Sequence, residues 1–96
     1  MIGSFGSDGT EDLFHGIRSK RASKIPADIV SVALRKLDMI NSATRLDDLK
    51  TPPGNKLEKL IGNLEGFHSI RVNDQYRIIF KWTEGIATEV EITDYH

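Results

Sequence analysis

The chain has 96 residues, 39% of them hydrophobic and 28% charged, with a formal net charge of -1 and no cysteine. One domain is expected over residues 1–96, because two halves would each be too small for a core of their own, and the absent cysteines exclude a disulfide scaffold and thiol catalysis. The near-neutral charge speaks against a free RNA binder, whose affinity normally comes from basic residues neutralising phosphates, unless the positive charge is gathered on one face or a larger assembly supplies affinity.

In chain order, Met1-Ile2-Gly3-Ser4-Phe5 lacks the basic start and long apolar stretch of a signal peptide. The longest apolar run, Ile78-Ile79-Phe80, is far short of a membrane span. The expected location is therefore the cytoplasm, with no membrane partner. Ile2 to Phe5 reads as a candidate edge strand. Ser7-Asp8-Gly9-Thr10-Glu11 carries cap residues and the acidic side chains that suit a helix N-terminus, so a short helix through Leu13, Phe14 and Ile17 follows. Arg18-Ser19-Lys20-Arg21-Ala22-Ser23-Lys24 is the densest basic stretch, either a phosphate-contacting patch or a solvated interhelical loop. Pro26 suits the first position of a second helix. Val30, Ala33, Leu34, Leu37 and Ile40 then form one apolar stripe, with Arg35, Lys36 and Asp38 off it, and the helix should end near Asn41 to Ala43. Leu46 and Leu49 suggest a short turn before Thr51-Pro52-Pro53-Gly54 breaks regular structure.

The second half reads as sheet. Ile70 and Val72 share one face of a strand and Arg71 takes the other. Asn73-Asp74-Gln75 is a turn of hairpin length, and Tyr76 to Trp82 has the aromatic and β-branched residues that strands prefer. After the turn Thr83-Glu84-Gly85, the residues Ile86, Thr88, Val90 and Ile92 alternate with Ala87, Glu89, Glu91 and Thr93. The expected fold is α+β, two N-terminal helices packed on an antiparallel β-sheet meander.

No Gly-rich phosphate loop, metal-spaced histidine pair or nucleophile elbow is present, so neither a metal nor a cofactor is expected. Two clusters remain. Arg71 and Arg77 flank the hairpin turn, where two guanidinium groups could cradle a phosphate; alternatively they are exposed and paired with Glu89 or Glu91. Asp94, Tyr95 and His96 offer a carboxylate, a phenol and an imidazole, the groups of general acid–base work; alternatively they are a frayed tail.

These clusters carry a resemblance. The chain resembles the HigB plasmid-maintenance killer proteins, a branch of the RelE/ParE toxin superfamily. The likeness runs through Met1-Ile2-x-Ser4-Phe5, Glu11-x-Leu13-Phe14, Arg35-Lys36-Leu37 and Pro52-Pro53-Gly54-Asn55-Lys56-Leu57-Glu58. It is strongest in Gly66-x-His68-Ser69-Ile70-Arg71-Val72-Asn73-Asp74-Gln75-Tyr76-Arg77-Ile78 and in Val90-Glu91-Ile92-x-Asp94-Tyr95-His96. The resemblance implies the toxin of a type II toxin–antitoxin system with a RelE-like fold. Such a toxin is a metal-independent endoribonuclease that enters the ribosomal A site and cuts messenger RNA through 2′-hydroxyl attack on the adjacent phosphate. It implies a HigA-type helix-turn-helix antitoxin as partner, with operator DNA reached only through that antitoxin.

Matched position by position, Arg77 becomes the phosphate-stabilising arginine, and Asp94, Tyr95 and His96 the catalytic ending. Proton transfer falls to His96, with Asp94 orienting it or sharing the task. Arg71, Asn73, Gln75, Lys59 and Glu58 become candidate RNA contacts. Glu58 stands where certain relatives have a catalytic histidine, and Ile61 where they have a lysine; either Glu58 takes over proton transfer or that role is absent. The resemblance further suggests one face gathering Arg18, Lys20, Arg21, Lys24, Arg71 and Arg77. The alternatives are a ParE-like toxin that inhibits gyrase by contact, and an inactive partner of the antitoxin.

Overall fold

A computed structural model describes residues 1–94. Helix α1 (Asp8–Phe14) starts where Ser7, in extended conformation, accepts a hydrogen bond from the Thr10 amide at 3.2 Å. Gly16, at φ +72°, turns the chain just after it. The basic stretch is not a plain loop: Ser19 caps a single turn, α2 (Lys20–Ser23), by accepting from the Ala22 amide at 3.0 Å. Pro26 does not open the long helix directly. A 3₁₀ turn, Ala27–Ile29, leads into α3 (Val30–Ser42).

Further 3₁₀ turns at Leu46–Lys50, Pro53–Asn55 and Gly62–Leu64 surround β1 (Glu58–Lys59), and the Thr51-Pro52 peptide is cis. The strands β2 (Phe67–Arg71), β3 (Tyr76–Thr83) and β4 (Ile86–Asp94) complete an antiparallel sheet in the order β1-β2-β3-β4. The N-terminal segment lies parallel to β4, through bridges Ile2 to Ala87 and Phe5 to Val90. Four backbone bonds of 2.7–3.1 Å link Met1, Gly3, Ser4 and Gly6 to Ala87 and Val90.

The α3 stripe follows the expected spacing. Ala33, Leu37 and Ile40 are fully buried and cluster with Ile70, Ile78, Phe80, Ala87 and Val90 from the sheet. Burying each large side chain stabilises the fold by roughly 1.5–3 kcal/mol. Lys36, placed off the stripe by its charge, is also buried.

The phase of β4 differs from simple alternation. Ile79 pairs with Glu91 but Lys81 pairs with Thr88, so an irregularity sits between them. Glu89 there has φ +52°. A bulge inserts an extra residue and inverts the faces beyond it. Ala87 and Val90 consequently both enter the core, while Ile86 is left exposed.

A buried carboxylate ties α1 to α2. Asp12 accepts from Ser19 Oγ at 2.7 Å and from Arg21 Nη2 at 2.9 Å. The Ser19 hydrogen bond, aided by Arg21 and opposed by burial, holds its carboxyl below the ordinary 3.8. Asp48 is likewise lowered, through the amides of Arg45 and Thr44. A carboxyl lowered on folding contributes stability that is complete above the unfolded value and is lost as pH falls through the folded one. Urea unfolding of Asp12→Asn should therefore show a weaker protein at neutral pH and a shallower loss of stability below pH 3.8. Asp48, whose carboxyl is also lowered, contributes to the acid dependence that remains. An unchanged acid limb would remove Asp12 from this role.

Candidate active site

The hairpin of β2 and β3 positions the first cluster. Three turn residues separate Val72 from Tyr76, whose carbonyl accepts from the Val72 amide at 2.9 Å. The turn is held by Asn73, whose Oδ1 accepts from the Gln75 and Tyr76 amides at 2.9 and 2.7 Å. This register sets Arg71 directly opposite Arg77.

The two arginines have different surroundings, and neither is paired with Glu89 or Glu91. Arg71 is bonded to Asp74 within the turn. Glu89 pairs with Lys81 at 3.0 Å. Arg77 is buried, only 8% exposed, on the sheet face away from α3. Its Nε donates to Ser69 Oγ at 2.8 Å and its Nη2 to the Lys56 carbonyl at 2.7 Å. Glu58 pairs with Ser69 across β1 and β2, so it shares that face, and its Oε1 lies 3.9 Å from Arg77 Nη1. The result is a fixed cation with a carboxylate beside it, an arrangement able to meet a phosphate and move a proton.

Other candidates stand elsewhere. Lys59 pairs with His68 and leaves on the opposite face from Glu58. His68, half-buried 6.0 Å from the Phe80 ring, is held below the ordinary imidazole value by burial and by Lys59. Asn73 is engaged in the turn, and Gln75 Nε2 donates to Asp94 Oδ2 at 2.9 Å. Asp94 pairs with Tyr76 and Thr93 with Arg77. Neighbouring strand positions alternate, so Asp94 leaves the sheet on the Tyr76 side and Arg77 on the other. Tyr95 and His96 lie outside the described residues. Among the described residues, no group of three or more His, Cys, Asp or Glu could hold a metal.

The profile of the family described as "RelE-like toxin of type II toxin-antitoxin system HigB" matches residues 4–96. The chain belongs to the HigB-like toxins. It is the toxin of a type II toxin–antitoxin system, within the RelE/ParE superfamily. "Toxin HigB-1" of Vibrio cholerae is 50% identical over 68 residues, 71% of this chain and 72% of that protein. "Endoribonuclease HigB" of Proteus vulgaris is 35% identical over 97 residues, covering 100% of both. In structure, the toxin is similar to a chain of the YoeB-YefM complex from Staphylococcus aureus, with a TM-score of 0.61 at 18% identity, covering 100% of this chain and 98% of that one. That likeness carries the α+β architecture of helices on an antiparallel sheet.

The cations of this HigB-like toxin are divided between two sides. Arg21 and Lys24 line a hollow of about 360 Å³ with Thr10, Tyr76 and Ile92, on the helix side of the sheet. Arg21 also pairs with Asp8 at 3.0 Å. Arg71 and Arg77 belong to the other face, so the expected single basic face is not formed. The alternation of strand residues separates them.

Reasoning from sequence overlooked Ser69, Asn55 and the Lys56 carbonyl. Ser69 carried a usable signal: it lies two positions before Arg71 and so shares its face. The Lys56 carbonyl carried none, since any residue could supply it.

Proposed function

We propose that the toxin is a ribosome-dependent endoribonuclease that cleaves messenger RNA and thereby inhibits translation. The observation that carries this reading is the buried Arg77 guanidinium, held by Ser69 and Lys56 with the Glu58 carboxylate 3.9 Å away. The full-length likeness to a protein named as an endoribonuclease supports it.

In the proposed reaction a base takes the ribose 2′-hydroxyl proton and the 2′-oxygen bonds to the adjacent phosphorus. The bond to the 5′-oxygen breaks, and an acid returns a proton to that oxygen. A 2′,3′-cyclic phosphate and a 5′-hydroxyl result. Arg77 offsets the charge gathering on the phosphorane, which preorganised donors do most effectively away from bulk water. Tyr95 and His96 are the proposed proton carriers, with Glu58 as a further carrier beside the guanidinium. Asp94, which leaves the sheet on the opposite face from Arg77, is proposed to orient the chain end rather than to carry the proton itself. Arg71, Asn73 and Gln75 on the hairpin are proposed to contact the RNA; Lys59, which leaves on the opposite face from Glu58, is set aside. The proposed partners are the ribosomal A site, its messenger and a HigA-type helix-turn-helix antitoxin, through which operator DNA is reached.

The test is to map new RNA ends on a translated messenger after adding the purified toxin, beside a version lacking Tyr95 and His96. Cleavage within codons is expected from the intact chain, reduced by roughly 10²-fold in the shortened one. Growth arrest without new RNA ends would reject the nuclease in favour of a protein-contact inhibitor such as a gyrase poison. Unimpaired growth on full expression without antitoxin would leave an inactive partner.

A further inference from the structure

Two segments supply no reacting group to the step just described: Arg35-Lys36-Leu37 on α3, and the run from Pro52 to Leu57, which enters it only through the Lys56 carbonyl. The structure joins them. The Lys36 ammonium donates to Asn55 Oδ1, and both side chains are buried, Asn55 completely. Asn55 Nδ2 donates in turn to the Leu49 and Thr51 carbonyls at 3.1 and 3.4 Å. An amide has one acceptor group and two N–H donors, and all are used here. Such a residue fixes the backbone on either side of it.

The next residue is Lys56, in left-handed conformation at φ +46°, with its amide bonded to the Pro53 carbonyl at 3.1 Å. Its carbonyl is the one that accepts from Arg77 Nη2 at 2.7 Å. The second hold on the guanidinium is Ser69 Oγ, 2.8 Å from Nε, on a residue with no exposed surface. Thus a line of buried and partly buried polar contacts runs from α3 through Asn55 and the Lys56 carbonyl to Arg77, and Ser69 closes it from β2.

We propose that Ser69, and Lys36 acting through Asn55, are positioning residues that aim the Arg77 guanidinium at the scissile phosphate. This rests on the reading of Arg77 given above. The physical need is plain. A free arginine side chain has many rotamers and forfeits roughly 2 kcal/mol when one is selected. A displacement of about 1 Å at a reacting centre can cost roughly 10²-fold in rate. Two fixed acceptors set the plane of the fork before any RNA arrives. Lys36 bears its charge there at a cost: burial, followed by Arg35 and Arg71, lowers its affinity for a proton.

The experiment is single-turnover cleavage of a messenger on programmed ribosomes by the full chain, with kcat and KM separated. The variants are Ser69→Ala and Lys36→Met, each made in the wild-type and Arg77→Ala backgrounds. In the wild-type background kcat should fall about tenfold or more, with KM changed by less than about threefold. In the Arg77→Ala background the same changes should have no further effect, because groups that act through one another are not additive. Ser69→Thr, which keeps the hydroxyl, should restore kcat. Urea unfolding of each variant confirms that it is folded, and Ser69→Thr serves where Ser69→Ala is not. Equal losses in both backgrounds, or full activity of Ser69→Ala beside an inactive Arg77→Ala, would overturn the positioning role. Wild-type cleavage by Arg77→Ala would overturn the role of the arginine itself, and with it this one.

Discussion

Replacing Arg77 by alanine should lower the rate of messenger cleavage by roughly 10²–10³-fold, the loss expected when one preorganised donor to a developing oxyanion is removed. Two effects combine in this variant and are separable. The charge that meets the phosphorane disappears, which lowers kcat. Ser69 Oγ and the Lys56 carbonyl also lose the donor they now share. Leaving a buried polar group such as the Ser69 hydroxyl without a partner costs roughly 1–3 kcal/mol of stability. Arg77→Lys distinguishes them. An ammonium keeps the positive charge but cannot donate to both acceptors with a planar fork, so its activity should lie between the other two. Cleavage rates at saturating toxin, with urea midpoints measured on the same preparations, provide the check. A variant Arg77→Ala that cuts within about threefold of wild type would discard Arg77 as a transition-state group.

Phe80→Ala should destabilise the fold by roughly 3–5 kcal/mol, the largest stability effect expected of a single core substitution here. Phe80 is wholly buried, packs among the α3 and sheet residues of the core, and meets the ring of Trp82 at 6.5 Å. Against a total stability of roughly 5–15 kcal/mol for a domain of ordinary size, that loss leaves little margin. With a urea slope of roughly 1–3 kcal/mol per molar, the midpoint should fall by more than about 1 M. Phe80→Leu, which refills most of the volume, should recover part of the difference. A midpoint for Phe80→Ala equal to that of the intact chain would contradict the packing described here.

Much of this could be read from residue order, and the parts that could not have identifiable causes. The α3 stripe at Val30, Ala33, Leu34, Leu37 and Ile40 follows from helical period alone, and the helix runs over Val30–Ser42. The opposition of Arg71 and Arg77 follows from the length of the turn between them. The face of Ile86 does not follow, because the bulge at Glu89 depends on a left-handed residue that carries no glycine to announce it. Strand β1 was equally hidden, since two residues become a strand only by pairing with Ser69 and His68. Which of the two arginines is buried is decided by partners 8 and 21 residues away, so local pattern was silent on it. Lys36 shows the same limit: charge placed it outside, whereas a buried amide from a distant turn admits it.

The main-chain groups of Ala87 and Val90 along the outer edge of β4 are already engaged by residues 1 to 6 through four backbone bonds. The Glu89 amide is taken as well, by Ser4 Oγ at 2.9 Å. A molecule seeking to lengthen the sheet from that side would have to peel this segment away before gaining any ladder of its own. Along residues 87–90 of β4, an approaching protein therefore meets a covered edge rather than vacant peptide groups. The same covering guards this margin against edge-to-edge association of one copy with the next.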